Sequence, residues 1–357
     1  IFKYCKQVYI IGVKYILVLF GENIEMNYKS LCADGTNGEF KIEIINNKLE
    51  ESLEDGQLLI KVYYSSLNYK DAMALNGNKA KIMRDLPMSP GIDLSGVVEK
   101  SLSNDFKIGD EVLVTGFGMG EKFSGGYSQF VKINSDYVIK KPNNLSFKEA
   151  MILGTAGYTA MLAVDEIRKS KIDKTKSKIL ISGATGGVGS LSIALLNAMN
   201  YQIFALTTKH DQENYLRSLG IREILSTQEF LDDNIKPLNS SKWTVAIDTL
   251  GGNMLSSILS SVNYGGLVIS TGNALSNDLP TTVLPFILRS IKLIGIDSVY
   301  SSMENRNKIW ASYSNLINKE ILNSLSTEIH IKDLSSYAKK MLEGKLKGRV
   351  VVNIKDS

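Results

Sequence analysis

The sequence predicts an α/β protein in two parts: a β-rich N-terminal part with mostly antiparallel pairing, followed by a doubly wound parallel sheet. Three observations predict it. Strand-like runs separated by turn glycines crowd residues 27–150. From residue 151 onward, strand-like and helix-like segments alternate, a pattern that gives parallel strands joined by right-handed crossovers. Finally, ILISGATGGVGSLSIALL (179–196) sets Gly183, Gly186, Gly187 and Gly189 between a short β-branched run and an apolar helical run with Leu191, Leu195 and Leu196 on one side. Strand, tight turn and helix in that order can bring backbone N–H groups against a phosphate.

The elements follow in order. Residues 8–20 (VYIIGVKYILVLF) are apolar apart from Lys14, too short to span a bilayer and without a small-residue cleavage site after them. The chain begins at Ile1, and residues 1–25 read as an unstructured or non-native extension ahead of Met26. Strands are expected at 58–67, 93–101, 109–116, 125–133 and 137–142. A long helix is expected at 146–167, because Ser146 and Glu149 have capping-box spacing. The parallel strands are expected at 178–182, 201–207, 222–226, 243–248, 266–271 and 292–296, and residues 300–357 return to helices and a last strand, GRVVVNI.

Composition narrows the function. With 357 residues the chain has room for about two domains. The net charge of +4 is spread out, without the clustered basic surface and interleaved aromatics of an RNA binder. Two cysteines (Cys5, Cys32) and two histidines (His210, His330) rule out a Cys₄ zinc site within one chain and leave little for a catalytic Cys/His site. They also suit a reducing, cytoplasmic compartment.

In the glycine turn, Gly183 permits the tight turn, Gly186 or Gly187 lets backbone approach a pyrophosphate, and Gly189 lets helix and sheet pack closely. The second parallel strand ends in Thr207, Thr208 and Lys209, with Asp211 beyond it. Two hydroxyls and an ammonium suit the 2′-phosphate of NADPH, where NAD binders place an acid for the ribose hydroxyl. The alternative is that Lys209 is a solvated loop lysine.

The segments SSLNYKDAMALNG, MSPGIDLSGVV, GGYSQFV, GTAGYTAML, SGATGGVGS, AIDTLGG and LPTTVLPFILRSIKLIGIDSV resemble the medium-chain dehydrogenase/reductase superfamily over about residues 27–355. Within it they are most similar to the zinc-free acrylyl-CoA reductase group. The resemblance implies a GroES-like catalytic domain (27–150 and 298–357) split around a Rossmann NADP-binding domain (151–297), a homodimer without nucleic-acid or membrane partners, and NADPH-dependent reduction of an acyl-CoA substrate, acryloyl-CoA to propanoyl-CoA. It places Tyr69 beside the nicotinamide. It implies cofactor contacts from Thr159, Thr185, Gly186, Gly187, Val188, Leu250, Gly251, Asn273 and Arg349, and a substrate contact from Arg289. For Thr159 the competing reading is helix packing; for each arginine it is a surface or interface salt bridge. Asn68 and Asp71 have capping-box-like spacing, which offers a purely structural reading of Tyr69. Asp93 reads as a structural acid.

Reduction of a conjugated alkene calls for hydride addition at the β-carbon and stabilisation of charge on the thioester oxygen, a task for aimed hydrogen-bond donors. Two alternatives stay open: reduction of quinones or enals, and non-catalytic NADPH binding.

Overall fold

The structure, a computed structural model, describes residues 27–36, 39–49, 52–231 and 236–357, together with the backbone of a short antiparallel ladder, Ile10–Ile11 with Lys14–Tyr15. The expectation for residues 1–25 otherwise lies outside the described residues.

Six strands form an all-parallel sheet in the spatial order Glu223–Ser226, Gln202–Thr207, Lys178–Ile181, Trp243–Asp248, Val262–Ser270, Lys292–Gly295. Numbered along the chain this order is 3-2-1-4-5-6, the Rossmann arrangement, whose ligand crevice lies at the carboxyl ends of strands 1 and 4. Their interiors are continuous apolar runs, as burial on both faces requires: Ile179, Leu180, Ile181, Val245, Ala246 and Ile247 are fully buried. The fifth strand starts four residues earlier than expected, because Val262 pairs with Trp243 before the register breaks and resumes at Leu267 opposite Val245. The glycines at 265 and 266, which hide that early part in the sequence, accommodate the irregularity.

A second sheet runs Ser326–His330, Arg349–Asn353, Gln57–Leu67, Asp93–Ser101, Glu111–Thr115, Ile139–Lys140, with Phe130–Asn134 added onto Gln57–Leu67. Its pairs are antiparallel except Ser326–His330 with Arg349–Asn353. Three expectations need correction. The 125–133 strand shrinks to Phe130–Asn134, because Gly125 and Gly126 bond instead to the carbonyls of Ser89 and Gly91. The 137–142 strand shrinks to Ile139–Lys140 behind a 3₁₀ turn at Ser135–Tyr137. Residues 300–357 hold a strand besides the expected last one, Ser326–His330, of which His330 alone reads as a strand residue in the sequence, since only Ile329 along it is buried and no alternation marks the rest.

The helix Phe147–Lys169 ties the two sheets together. Its capping box is as read: Glu149 N–H donates to Ser146 Oγ (3.1 Å) and Ser146 N–H to Glu149 Oε2 (2.8 Å). Ala150 through Leu153, Ala160, Met161, Val164 and Ile167 enter one core with residues of both sheets and with Ile309, Trp310 and Tyr313 of the helix Met303–Tyr313. An interruption that no local pattern announces breaks the helix in two at Gly154 (φ 50°, ψ −154°). The break opens a gap in the helical hydrogen bonds, and the site is built into it.

Candidate active site

The glycine turn lies at the carboxyl end of the first parallel strand. Gly183 adopts φ +57°, and a Cβ there would stand 2.2 Å from Thr249 Oγ1. A Cβ on Gly189 would lie 2.4 Å from the Gly183 carbonyl oxygen, so this glycine sets the approach of helix to turn. Gly186 is the N-cap of the helix Gly187–Ala198. A Cβ on Gly186 would meet only the Gly183 carbonyl oxygen, at 3.2 Å, leaving that side open. Gly187 is different: its missing side chain would meet Arg349 Cδ at 3.1 Å and Nη1 at 3.2 Å, so its smallness admits an arginine of the other sheet.

Across the switch point, the buried Asp248 at the end of the fourth strand accepts from Ser182 Oγ (2.5 Å) and from Gly251 N–H (2.8 Å). Burial pushes its carboxyl up, against those donors. Leu250 and Gly251 are thereby held beside the turn: Leu250 Cδ2 is 3.3 Å from where a Gly183 Cβ would be, and Asn273 Cα is 3.4 Å from that of Gly251. Asn273 is exposed and donates from Nδ2 to Asn277 Oδ1. Leu250, Gly251 and Asn273 thus lie at the carboxyl ends of the strands beside the turn that carries Thr185, Gly186, Gly187 and Val188.

In the β-rich lobe, Tyr69 is the first residue of the helix Tyr69–Leu75 and is 40% exposed. The turn beneath it is buried. Asp71 accepts from Asn68 N–H (2.9 Å) and Ile92 N–H (3.0 Å). Asp93 accepts from Ser66 Oγ (2.5 Å), Asn68 Nδ2 (2.9 Å), Thr155 N–H (2.9 Å) and Thr155 Oγ1 (2.5 Å). The break at Gly154 explains the geometry: a Cβ there would sit 2.5 Å from Asp93 Oδ2. It frees the Thr155 N–H for Asp93 and the Ile152 carbonyl for Arg349, whose Nε donates to it at 2.8 Å. Arg349 Nη1 donates to Asn68 Oδ1 (3.1 Å), while Nη2, also buried, has no partner among the described residues. Burial of Asp71, with Asp93 adding to it, pushes the Asp71 carboxyl up to about 7, against the Asn68 and Ile92 donors. The capping-box spacing of Asn68 and Asp71 is realised; what sequence reasoning missed is Thr155, which nothing local marked.

Other expected contacts are placed as follows. Thr159 is buried and its hydroxyl donates to the Thr155 carbonyl (2.7 Å), so its proton is spent inside its own helix. Thr207 is buried and accepts from Lys209 N–H (2.9 Å); Thr208 is exposed. Lys209 Nζ donates to the Leu346 carbonyl (2.5 Å), and burial lowers the pKa of the ammonium. Arg289 is a correction. Its guanidinium donates to the carbonyls of Ser260 (2.6 Å), Val262 (3.3 Å) and Asn239 (2.5 Å), at the amino end of the fifth strand and away from the carboxyl-end crevice. Its length and charge serve as a clamp on loop carbonyls.

A phosphate-binding turn at the switch point of a Rossmann sheet, facing a β-rich lobe, defines a two-lobed dinucleotide-binding protein. Comparison with known proteins specifies it. Residues 54–143 match the family model "Alcohol dehydrogenase GroES-like domain" and residues 187–314 match "Zinc-binding dehydrogenase". The chain is 36% identical to an acrylyl-CoA reductase, AcuI, of Ruegeria pomeroyi, over 84% of this chain and 90% of that protein. It is similar to the crystal structure of the yhdH oxidoreductase of Salmonella enterica in complex with NADP (TM-score 0.86, 39% identity, 92% of this chain and all of that one). It is also similar to Bacillus subtilis yhfP with NAD bound (TM-score 0.86, 35% identity, 92% and 99%). The chain belongs to the medium-chain dehydrogenase/reductase family of oxidoreductases. The second family model names zinc, yet among the described residues no group of three or more His, Cys, Asp or Glu side chains is placed to hold a metal ion. The residues present do not fit that metal. The turn does fit a dinucleotide: Gly186 leaves an open approach at the N-terminus of the helix Gly187–Ala198.

Proposed function

We propose that this oxidoreductase reduces the C=C bond of acryloyl-CoA, or of a similar 2-enoyl thioester, with NADPH, as a cytoplasmic homodimer. The observation that carries the reading is the juxtaposition of the glycine turn with Tyr69. Arg349 joins the two by packing on Gly187 and donating to Asn68. Likeness to a named acrylyl-CoA reductase and to an NADP complex supports the substrate and the coenzyme.

Bound NADPH would supply a hydride to the β-carbon. In this reading the Tyr69 hydroxyl donates to the thioester oxygen as charge grows there, and the α-carbon takes a proton from solvent or from an acid at the cleft. Asp71 and Asp93 hold the Tyr69 turn in place through Asn68. The Gly186 and Gly187 turn and Leu250–Gly251 would flank the pyrophosphate, and Thr207, Thr208 and Lys209 the 2′-phosphate.

The test is NADPH oxidation with acryloyl-CoA, crotonyl-CoA and a simple quinone compared side by side. Preference for acryloyl-CoA is expected, together with about a 10²-fold fall in kcat in Tyr69→Phe at unchanged NADPH affinity, the size of losing one oxyanion donor. A clear preference for the quinone overturns the substrate assignment. Full turnover in Tyr69→Phe removes the hydroxyl from the chemistry.

A further inference from the structure

The loop before the last strand, residues 343–348, reaches out of the catalytic-side sheet and touches both phosphate-facing turns of the parallel sheet. Gly348 N–H donates to the Thr185 carbonyl (2.8 Å), in the glycine turn. The Leu346 carbonyl accepts from Lys209 Nζ, at the end of the second strand. Between these two anchors stands Lys347. It is exposed, and its ammonium lies 5.1 Å from the centroid of the Tyr215 ring. Tyr215 is itself fixed: its hydroxyl donates to Ser190 Oγ (2.9 Å), which donates to the Ala184 carbonyl (3.2 Å). An ammonium held over an aromatic face keeps its charge and stays within reach of its surroundings.

The sequence assigned the 2′-phosphate to Thr207, Thr208 and Lys209 alone. The structure makes that set short of donors. Thr207 is buried, and one of the three protons on Lys209 is committed to Leu346. A phosphate dianion needs more cationic cover than one half-buried ammonium. The chain order supplies it, because residue 347 is covalently fixed between the residue that binds Lys209 and the residue that binds Thr185. Lys345, two residues earlier, is ion-paired with Glu343 (2.7 Å) and serves as an internal control. Lys340, Lys345 and Lys347 also line one open cavity with Tyr337 and Leu346, so the positive field extends outward from this corner.

We propose that Lys347 is a specificity-determining residue that joins Lys209 in binding the phosphate distinguishing NADPH from NADH, and that the 343–348 loop is the strap delivering it. This rests on the coenzyme reading above and deepens it.

The experiment measures the dissociation constants of NADPH and NADH, and of 2′,5′-ADP against 5′-AMP, for the wild type and for Lys347→Ala, Lys347→Arg and Lys345→Ala. The thermal midpoint of each variant is recorded. Expected is about a tenfold weaker affinity for NADPH and for 2′,5′-ADP in Lys347→Ala, with NADH and 5′-AMP unchanged, the size of one charge-assisted contact. Lys347→Arg is expected to restore most of the loss, and Lys345→Ala to change affinity less than twofold. An unchanged NADPH-to-NADH ratio in Lys347→Ala, or an equal loss for both coenzymes, overturns the proposal while leaving the coenzyme reading intact. A wild type that binds NADPH no more tightly than NADH overturns both.

Discussion

Asp71 and Asp93 are buried around one guanidinium, that of Arg349. Burial, with the neighbouring Asp93 charge adding to it, pushes the Asp71 carboxyl up to about 7. The consequence for stability has a definite sign. Between the ordinary carboxylate range near 4 and pH 7, the folded chain keeps the Asp71 proton while the unfolded chain releases it, so this group's contribution falls as pH rises through that window. Asp71→Asn carries no titrating proton there. Denaturant unfolding between pH 4.5 and 7.5 is expected to show a wild-type stability that declines relative to the variant by up to about 1.4 kcal/mol per pH unit. Parallel profiles would mean that Asp71 is ionised throughout. NYKD marked this residue as a cap, and it is one; its burial depends on Ile92 and Asp93, which only folding brings near.

Among the elements, the strand, turn and helix at 178–198 were the most legible, because the turn's requirements are local. Gly189 and Gly186 separate fold from ligand. Gly189→Ala drives a Cβ to 2.4 Å from a backbone oxygen, and is expected to cost about 1–3 kcal/mol and to weaken NADPH. Gly186→Ala meets only one atom, at 3.2 Å, and is expected to leave stability nearly unchanged while weakening NADPH, since in the proposed reading its open side is the approach for the pyrophosphate. Melting curves paired with coenzyme titrations check both; equal melting shifts would sink the distinction. The break at Gly154 was illegible for the opposite reason. Ser146 and Glu149 start the helix by local bonds, but what stops it at Gly154 is the Asp93 carboxylate, from a different sheet.

At the scale of the whole molecule, the strand Lys292–Gly295 ends the parallel sheet, and its outer edge has no partner among the described residues. Beside it Val283 (65%), Ile287 (67%) and Leu288 (56%) are exposed, an apolar face of the kind that marks an interface. In the proposed homodimer this face is covered by a second copy. Sedimentation is expected to show a dimer that Ile287→Lys with Leu288→Glu converts to a monomer; a monomeric wild type would sink the assignment. Within one chain the lobes are clamped by the buried Arg306, which donates to Thr115 Oγ1 (2.6 Å) and to the Ser298 and Val299 carbonyls and lies between the rings of Phe117 and Tyr158. By itself the sequence determined the order of the parallel strands along the chain, the phosphate-binding turn, the capped long helix and the position of Tyr69 at a helix start. Each of these follows from the conformational and hydrogen-bonding needs of neighbouring residues. Tertiary structure alone decided that Arg349 seats against Gly187, that Arg289 is a clamp at the amino end of the fifth strand, and that Lys209 reaches the Leu346 carbonyl next to Lys347. Those assignments depend on which long side chains meet across the two sheets, and that is settled by packing between segments far apart in the chain.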